Sequence, residues 1–447
     1  RYLEKETFLI ERKRFPRIFP GWWTNLVTGV WSGLGHGFYG YGISVFFKLI
    51  AADLGLTRAA TSFATGIGRL EGSLEAPITG WLSDKFGPKW VIVVGSCFIS
   101  TGLVLMNFIT SQWAYYLVWG VIIATGTNLA LTIAVDKALA DWFIKKRGLA
   151  FGIRFVLIGI FGVIVLPIVT WLVTTQGWRT TCLIWAGVMF AGVPLSWYFV
   201  KQRRPEYYGL LPDGAKVESG SKAGIDAVID EGVEYAASLE EVEFNLRQAM
   251  RTPAYWMIVM SWACTSLVVG GINIHIIPFL TDMGIDPIAA GGMMAMMVFF
   301  TIPSRFLVGF FADRVRKERL QFLLAGAFLC QAIGIIAFLS NQTIAMMYVF
   351  LILYGFGHGA TTPLKLLMGG RYFGRKAFAS IQGTSMMFAA PLSLIAPVYA
   401  GWIYDTTGSY ITAFITFAAL ATFAAFLMSL IRPPKPPTQV TDVRKFM

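Results

Sequence analysis

The stretch TGIGRLEGSLEAPITGWLSDKFG, residues 65–87, reads as a hydrophobic helix that carries Arg69, Glu71 and Glu75 and ends in a charged turn. One such turn says little. It recurs, however: GWLSDKFGPK begins at Gly80 and GFFADRVRKE begins at Gly309, 229 residues later. A second pair, DWFIKKRGLAFG from Asp141 and RYFGRKAFASIQG from Arg371, is offset by 230. Two different landmarks whose offsets agree to within one residue mark an internal repeat, so the chain reads as two similar halves in tandem.

Composition tells what the halves are made of. Of the 447 residues, 56% are hydrophobic and only 14% are charged, far from the balance of a soluble domain. The apolar residues gather into twelve stretches, each about 20 residues or longer and able to cross a ~30 Å hydrocarbon core as a helix. They lie near 21–50, 58–82, 89–110, 113–142, 149–174, 178–200, 253–281, 287–312, 319–340, 343–370, 375–403 and 410–431. The expected fold is all-α: a polytopic membrane protein with twelve transmembrane helices in two pseudo-symmetric six-helix bundles. Its expected parts are an N-terminal arm (1–20), the first bundle (21–200), a polar linker (201–252), the second bundle (253–431) and a tail (432–447). SLEEVEFNLRQAM, from Ser238 in the linker, reads as a short amphipathic helix opened by a capping box.

The formal charge of +12 follows topology rather than nucleic-acid binding. Lys and Arg collect in the N-terminal arm (Arg12, Lys13, Arg14, Arg17) and then in alternate loops: Lys85 and Lys89, Lys145 to Arg147, Arg203 and Arg204, Arg314 to Arg319, Arg375 and Lys376. The intervening loops hold chiefly Arg58 and Arg179. The positive-inside rule therefore places both termini in the cytoplasm, in a multi-pass protein of the plasma (inner) membrane. No nucleic-acid partner is expected. The first twenty residues have no signal-peptide h-region or cleavage site. Cys97, Cys182, Cys264 and Cys330 all fall within expected spans, as small apolar residues rather than a disulfide framework or metal site.

The G-x-x-x-D-[KR] turn after the second span, its echo after the eighth, and the six-plus-six organisation resemble the major facilitator superfamily. ISVFFK (Ile43 to Lys48), INIHIIPFLTDMGI (Ile272 to Ile285), SRFLVGFFADR (Ser304 to Arg314), GFGHGATTPL (Gly355 to Leu364) and RYFGR (Arg371 to Arg375) are similar to its monocarboxylate and oxalate/formate branch. The resemblance implies a secondary transporter that rocks between two states. It implies too that Arg305, in the eighth helix, receives a substrate carboxylate. Where that branch has a lysine in the first helix this sequence has Tyr41, and where it has an acidic residue eleven positions before the arginine it has Met294.

At ~1.5 Å per residue, Glu75 lies about 13 Å above Asp84, Glu71 about 20 Å, Arg69 about 22 Å, and Arg305 about 12 Å above Asp313. Charges at such depth cost roughly 2.5 to 3.5 kcal/mol on insertion scales and belong in a cavity or beside a partner. Gly68, Gly72, Ala76 and Gly80 form a small-residue stripe for close packing, with Glu71 and Glu75 sharing a face beside it. Arg69 points about 160° away from Glu71, so its counter-charge is a residue of another helix or the substrate. Glu71 and Glu75 are candidates to carry a proton, or to pair with Arg69, Arg154 or Arg305. Arg154 and Lys365, nearer the loop ends of their helices, read as snorkelling cations. Gly80, Asp84 and Lys85, with Gly309, Asp313 and Arg314, are candidate gating residues, because a glycine admits a close neighbour and an aspartate can meet a helix N-terminus.

His36, His275 and His358 fall in the first, seventh and tenth spans, which line the central cavity in the family the sequence resembles. His36 is a candidate for proton coupling; His275 and His358, with Arg305, Arg69 and Tyr41, are candidates for substrate binding. No spacing places two histidines on one helical face, so no metal is expected. GHGFYGYGISVFF and YGFGHGATTP supply glycines at which the first and tenth helices can bend. Trp31, Tyr39, Tyr41, Tyr354 and Phe388 are candidate cavity aromatics. With no Walker loop, nucleotide fingerprint, nucleophile elbow or channel filter, neither an enzyme nor a cofactor is expected. The reading is a proton-coupled symporter of a small organic anion, a monocarboxylate, working as a monomer in a lipid bilayer by alternating access. The alternatives are a proton-coupled exporter of drugs or other cationic or amphipathic solutes, and a non-transporting solute sensor of the same fold.

Overall fold

The structure, a computed structural model, describes residues 18–56, 58–218 and 225–436. Arg12, Lys13, Arg14 and Arg17 lie outside them, as do the last eleven residues of the expected tail. The described residues are almost entirely helical and contain no strand.

Twelve long helices make two bundles of six. In the first half α1 covers 20–53, α2 is Arg58–Phe86, α3 is Pro88–Leu105 and α4 covers 112–142. A continuous run, Arg147–Phe199, holds α5 and α6, which part at Gly177, whose φ of 78° and ψ of 164° suit a residue without a Cβ. The second half comprises α7 (Pro253–Asp282), α8 (Pro287–Ala312), α9 (Leu320–Ser340), α10 (Ile344–Phe373), α11 (Phe378–Thr407) and α12 (Ile411–Leu430). Local chemistry starts them. Proline stands at the first turn of α1, α3 and α7, where its missing N–H costs nothing, and the side chains of Ser111, Thr252 and Thr343 cap free N–H groups of α4, α7 and α10.

Among the described residues, eight helices are apolar enough throughout to cross a membrane, the double-length Arg147–Phe199 being one of them. Helices α1, α2 and α11, some of whose side chains lie outside those the structure describes, are not among those eight. Two of them carry features that a lipid-facing helix has no use for: α1 contains a π-helical turn over Gly37–Gly42, and α2 contains three charges in its middle.

The halves meet where α2 crosses α11 and α5 crosses α8. Both crossings lie toward the face that carries the linker, called here the linker face. A Cβ on Gly80 would sit 2.3 Å from the Ala379 carbonyl oxygen, and one on Gly383 would sit 2.0 Å from that of Ala76. At the other crossing a Cβ on Gly309 would sit 2.4 Å from the Gly148 oxygen, and one on Gly152 would sit 2.8 Å from the Arg305 oxygen. Toward the opposite, far face, Gly40 of α1, Gly66 of α2 and Gly291 and Gly292 of α8 have no atom within 4 Å of such a Cβ. Among the described residues the halves are in close contact at the linker face.

The linker differs from its expected form. Ser238 ends a helix, Ile225–Ser238, instead of starting one, and the capping box belongs to Asn245 and Gln248 at the head of the five-residue helix Leu246–Met250. Between them the chain is pinned in extended form. Glu241 meets Arg147 at 2.8 Å, Glu243 meets Arg204 at 2.8 Å, and the Phe244 N–H donates to the Phe373 carbonyl. Those tertiary anchors outweigh the helix propensity of SLEEVEF.

Candidate functional site

The repeated turn forms a pair of latches at the linker face. Asp84, at the end of α2, accepts hydrogen bonds from the backbone N–H groups of Ala379 (3.4 Å) and Ser380 (2.8 Å) in the first turn of α11. Asp313, just past α8, accepts from those of Gly148 (2.7 Å) and Leu149 (2.8 Å) in the first turn of α5. Each carboxylate thus caps a helix of the opposite half, satisfying free donors and the positive end of the helix dipole. Their cations come from unexpected places. Lys137 of α4 lies 3.5 Å from Asp84, and Arg371 of α10 lies 3.9 Å from Asp313. Lys85 instead sits over the rings of Trp81 and Phe86, and Arg314 over Phe310, both beside the latch rather than in it.

Burial pushes the Asp313 carboxyl up from 3.8 to about 6, although the Leu149 and Gly148 N–H groups and Arg371 pull it down. The sign follows from linkage. A group whose pKa is higher in the closed form binds its proton more tightly there, so acid favours closure, and that contribution is lost as pH rises through the closed-form value. Between about pH 4 and about pH 7 the linker face should therefore open some tens of times more readily as the medium becomes alkaline, if the carboxyl regains its solvated value of 3.8 on opening. Maleimide labelling of a cysteine placed at Ser380 would follow the opening. Asp313→Asn should flatten the profile; an unchanged profile would remove Asp313 from this role.

The stripe Gly68, Gly72, Ala76, Gly80 divides between two neighbours. A Cβ on Gly68 would meet the Tyr39 hydroxyl at 2.3 Å, and one on Gly72 would meet Asn128 Nδ2 at 2.3 Å, both within the first half. Ala76 and Gly80 face α11 of the second half. The division is geometric: a step of four residues overshoots a full turn by about 40°, so three steps carry the stripe about 120° around the helix.

Above the latches, Arg305 of α8 is half-buried against α5, with Nη1 donating to the Phe155 carbonyl oxygen at 3.1 Å. Gly159 makes room for it, since a Cβ there would stand 3.1 Å from Nη1. His358 of α10 lies within electrostatic reach of Arg305, its Nδ1 buried without a hydrogen-bond partner among the described residues and its ring stacked on Tyr354. His275 is elsewhere, beside Gly401 and 3.3 Å from the Tyr410 hydroxyl near the far end of α7. The side chains of Tyr41 and Arg69 lie outside those the structure describes.

Glu71 and Glu75 stand together in the first half. Glu71 accepts from Thr125 (2.8 Å) and Asn128 (3.3 Å) of α4, and Glu75 from Thr79 (2.9 Å). The two carboxyls are within hydrogen-bonding reach of each other, and Glu75 Oε2 is buried without another partner. His36 Nδ1 faces the Ser32 carbonyl oxygen at 2.9 Å. Of the aromatic candidates, Trp31 is packed into Gly192 of α6, Tyr354 is wholly buried beside Phe350, Tyr39 stacks on Trp119, and Phe388 is partly exposed against Trp256.

Arg154 does not snorkel. It is 2% exposed and ion-paired with Asp136 of α4. Its Nη2 donates to the Leu131 carbonyl oxygen at 2.8 Å, which also accepts from Ser32 at 3.2 Å, because α4 breaks at Thr132 (φ −123°, ψ −104°) and releases that oxygen from the helix. Gln382 of α11 donates to the other Asp136 oxygen at 2.6 Å, so the cluster bridges the halves. Lys365, 8% exposed, lies 3.9 Å over the Trp262 ring and is attracted by Asp136. By the offset of 230 that pairs Asp141 with Arg371 on these same helices, Asp136 corresponds to Leu366 and Lys365 is one position away, so the repeat carried no signal for this charged pair.

Comparison with known proteins agrees with this architecture. The family model described as Major Facilitator Superfamily matches residues 30–393. The chain is 26% identical over 401 residues to monocarboxylate transporter 12 of Xenopus laevis, an alignment covering 87% of this chain and 84% of that protein. Among solved structures it superposes on the proton:xylose symporter XylE bound to 6-bromo-6-deoxy-D-glucose with a TM-score of 0.69 at 13% identity, over 91% of this chain and 95% of that one. The human organic anion transporter MFSD10 gives 0.66 at 14% identity, over 90% and 99%.

Proposed function

Because the chain belongs to the Major Facilitator Superfamily, we propose that it is a secondary active transporter of a small organic anion, a monocarboxylate, coupled to protons and driven by alternating access of its two bundles. In this reading the linker face and both termini are cytoplasmic, the membrane is the plasma (inner) membrane, and the protein works as a monomer. The observation that carries it is Arg305: a guanidinium of α8 held against α5, where the two halves meet. Its planar fork matches a carboxylate, and one N–H is already committed to the Phe155 carbonyl, which fixes its orientation. The names of the relatives, monocarboxylate transporter 12 above all, support the same class of solute.

Coupling is assigned to Glu71 and Glu75. Two carboxylates within hydrogen-bonding reach cannot both stay ionised comfortably; one shared proton relieves the repulsion and supplies the missing donor. An anion docking at Arg305 offsets that arginine's positive charge, so the loaded carrier closes with little net buried charge. Glu71→Gln and Glu75→Gln should therefore preserve solute exchange, which needs no net proton movement, while at least one of them abolishes uptake driven by a pH gradient. Concentrative uptake by both mutants would pass the role to His36 or His358.

The reading as a whole is tested on purified protein by thermal-shift titration with organic anions and cations, followed by counterflow of each ligand in proteoliposomes. Stabilisation by anions together with exchange supports it. Stabilisation by cations alone would favour an exporter that uses Glu71 and Glu75, and binding without exchange would mark a sensor.

A further inference from the structure

The Asp136 cluster holds more positive than negative charge. Arg154 and Lys365 are both buried, Asp136 is the one carboxylate beside them among the described residues, and Arg154 with Gln382 already engages both its oxygens. Among those same residues the Lys365 ammonium has no hydrogen-bond acceptor; the Trp262 ring and the attraction of Asp136 are what hold it. It borders a cavity between α7, α10 and α11, walled by Ile258, Leu366 and Phe373. Two further polar groups at that cavity are unsatisfied among the described residues. The Tyr255 hydroxyl, on a side chain 1% exposed, has no partner of good geometry, although Ser385 lies beside it, and Gln382 Oε1 has none either. A buried cation, a spare O–H donor and apolar walls are the parts of a small-carboxylate site.

We propose that the Lys365 cavity is a second anion site, which takes a small carboxylate on its way between Arg305 and the linker face. Its position suits that use. A Cβ on Gly359 of α10 would touch Ser304 at 2.2 Å, which sets Arg305 level with that turn. Lys365 is six residues further along, about 9 Å nearer the linker face. In the closed form Asp136 partly neutralises Lys365 from the other half. When the halves part at this face, the Gln382 to Asp136 bond breaks, Asp136 withdraws with Arg154, and Lys365 is left facing the cavity with its charge uncompensated. An anion leaving Arg305 then meets a second cation rather than a bare passage.

The inference rests on the reading of the chain as an organic-anion carrier, and the test separates the two. Purified full-length protein is reductively methylated with isotopically labelled formaldehyde, in acetate or in chloride at equal ionic strength, and the rate at Lys365 is read by peptide mass spectrometry with exposed Lys85 as control. Near-saturating acetate should slow labelling of Lys365 at least about fivefold, since protection grows as 1 + [L]/Kd, and leave Lys85 unchanged. The same protection should persist in Arg305→Ala. An equal rate in the two salts, a Lys365 that never reacts, or protection that vanishes in Arg305→Ala would each overturn the second site. Protection that persists while Arg305→Ala leaves anion thermal shifts and exchange intact would uphold the Lys365 site and overturn the role given to Arg305.

Discussion

Asp136→Ala is expected to destabilise the purified protein by about 3–5 kcal/mol, the usual cost of stranding one member of a buried ion pair. The cost is high because every group that Asp136 engages is fixed. Arg154 is 2% exposed and has no route to water, Gln382 loses its acceptor in the other half, and Lys365 loses its attraction. Denaturant or thermal unfolding in detergent measures it. The double variant Arg154→Met with Asp136→Leu should recover most of the loss, because an apolar pair of similar volume leaves no buried charge at the Arg154 position. A single mutant within about 1 kcal/mol of wild type, the range of exposed ion pairs, would mean that Arg154 is solvated in solution.

Arg305→Lys should weaken anion binding and exchange by roughly 10- to 100-fold, the equivalent of about 1.5–3 kcal/mol for a charge-assisted hydrogen bond, with stability nearly unchanged. An ammonium retains the charge. It cannot reproduce the planar, multi-donor fork of a guanidinium, one N–H of which Arg305 gives to the Phe155 carbonyl. Binding measured by thermal shift and transport measured by counterflow should fall together. Wild-type exchange of every anion that the protein accepts would sink the carboxylate role.

The parts of this molecule that were legible in the sequence are those written in local pattern. Apolar run lengths gave twelve spans, and the offset between Gly80 and Gly309 gave the two halves. The small-residue stripe announced close packing but not with whom, because α2 turns one end of it to α4 and the other to α11. Asp84 and Asp313 could be seen as helix-capping groups, whereas Lys137 and Arg371 as their cations could not, since those contacts join elements distant in the chain. Arg154 shows the limit best. Depth along a helix suggested a cation reaching for water, but its direction is set by the break at Thr132, which aims a free carbonyl at it, and by Asp136 on the neighbouring turn. Charge at depth is visible in one dimension; its partner is decided in three. The linker repeats the point, because ion pairs from Arg147 and Arg204 hold extended a segment whose own preference is helical.

The twin aspartate caps also make the two sides of the membrane unequal. In the proposed alternating-access cycle, opening the linker face would strip two helix N-termini of their acceptors at once, so the unloaded protein would favour the form closed at the linker face. A solute arriving from the far side meets a majority conformer, and one arriving from the linker side meets a minority. Apparent affinity scales inversely with the fraction of competent protein, so half-saturation should be reached at lower concentration from the far side, by about tenfold for every 1.4 kcal/mol of bias. In that cycle Asp84 and Asp313 would set how dilute a supply the protein can draw on and how readily it lets the cargo slip back.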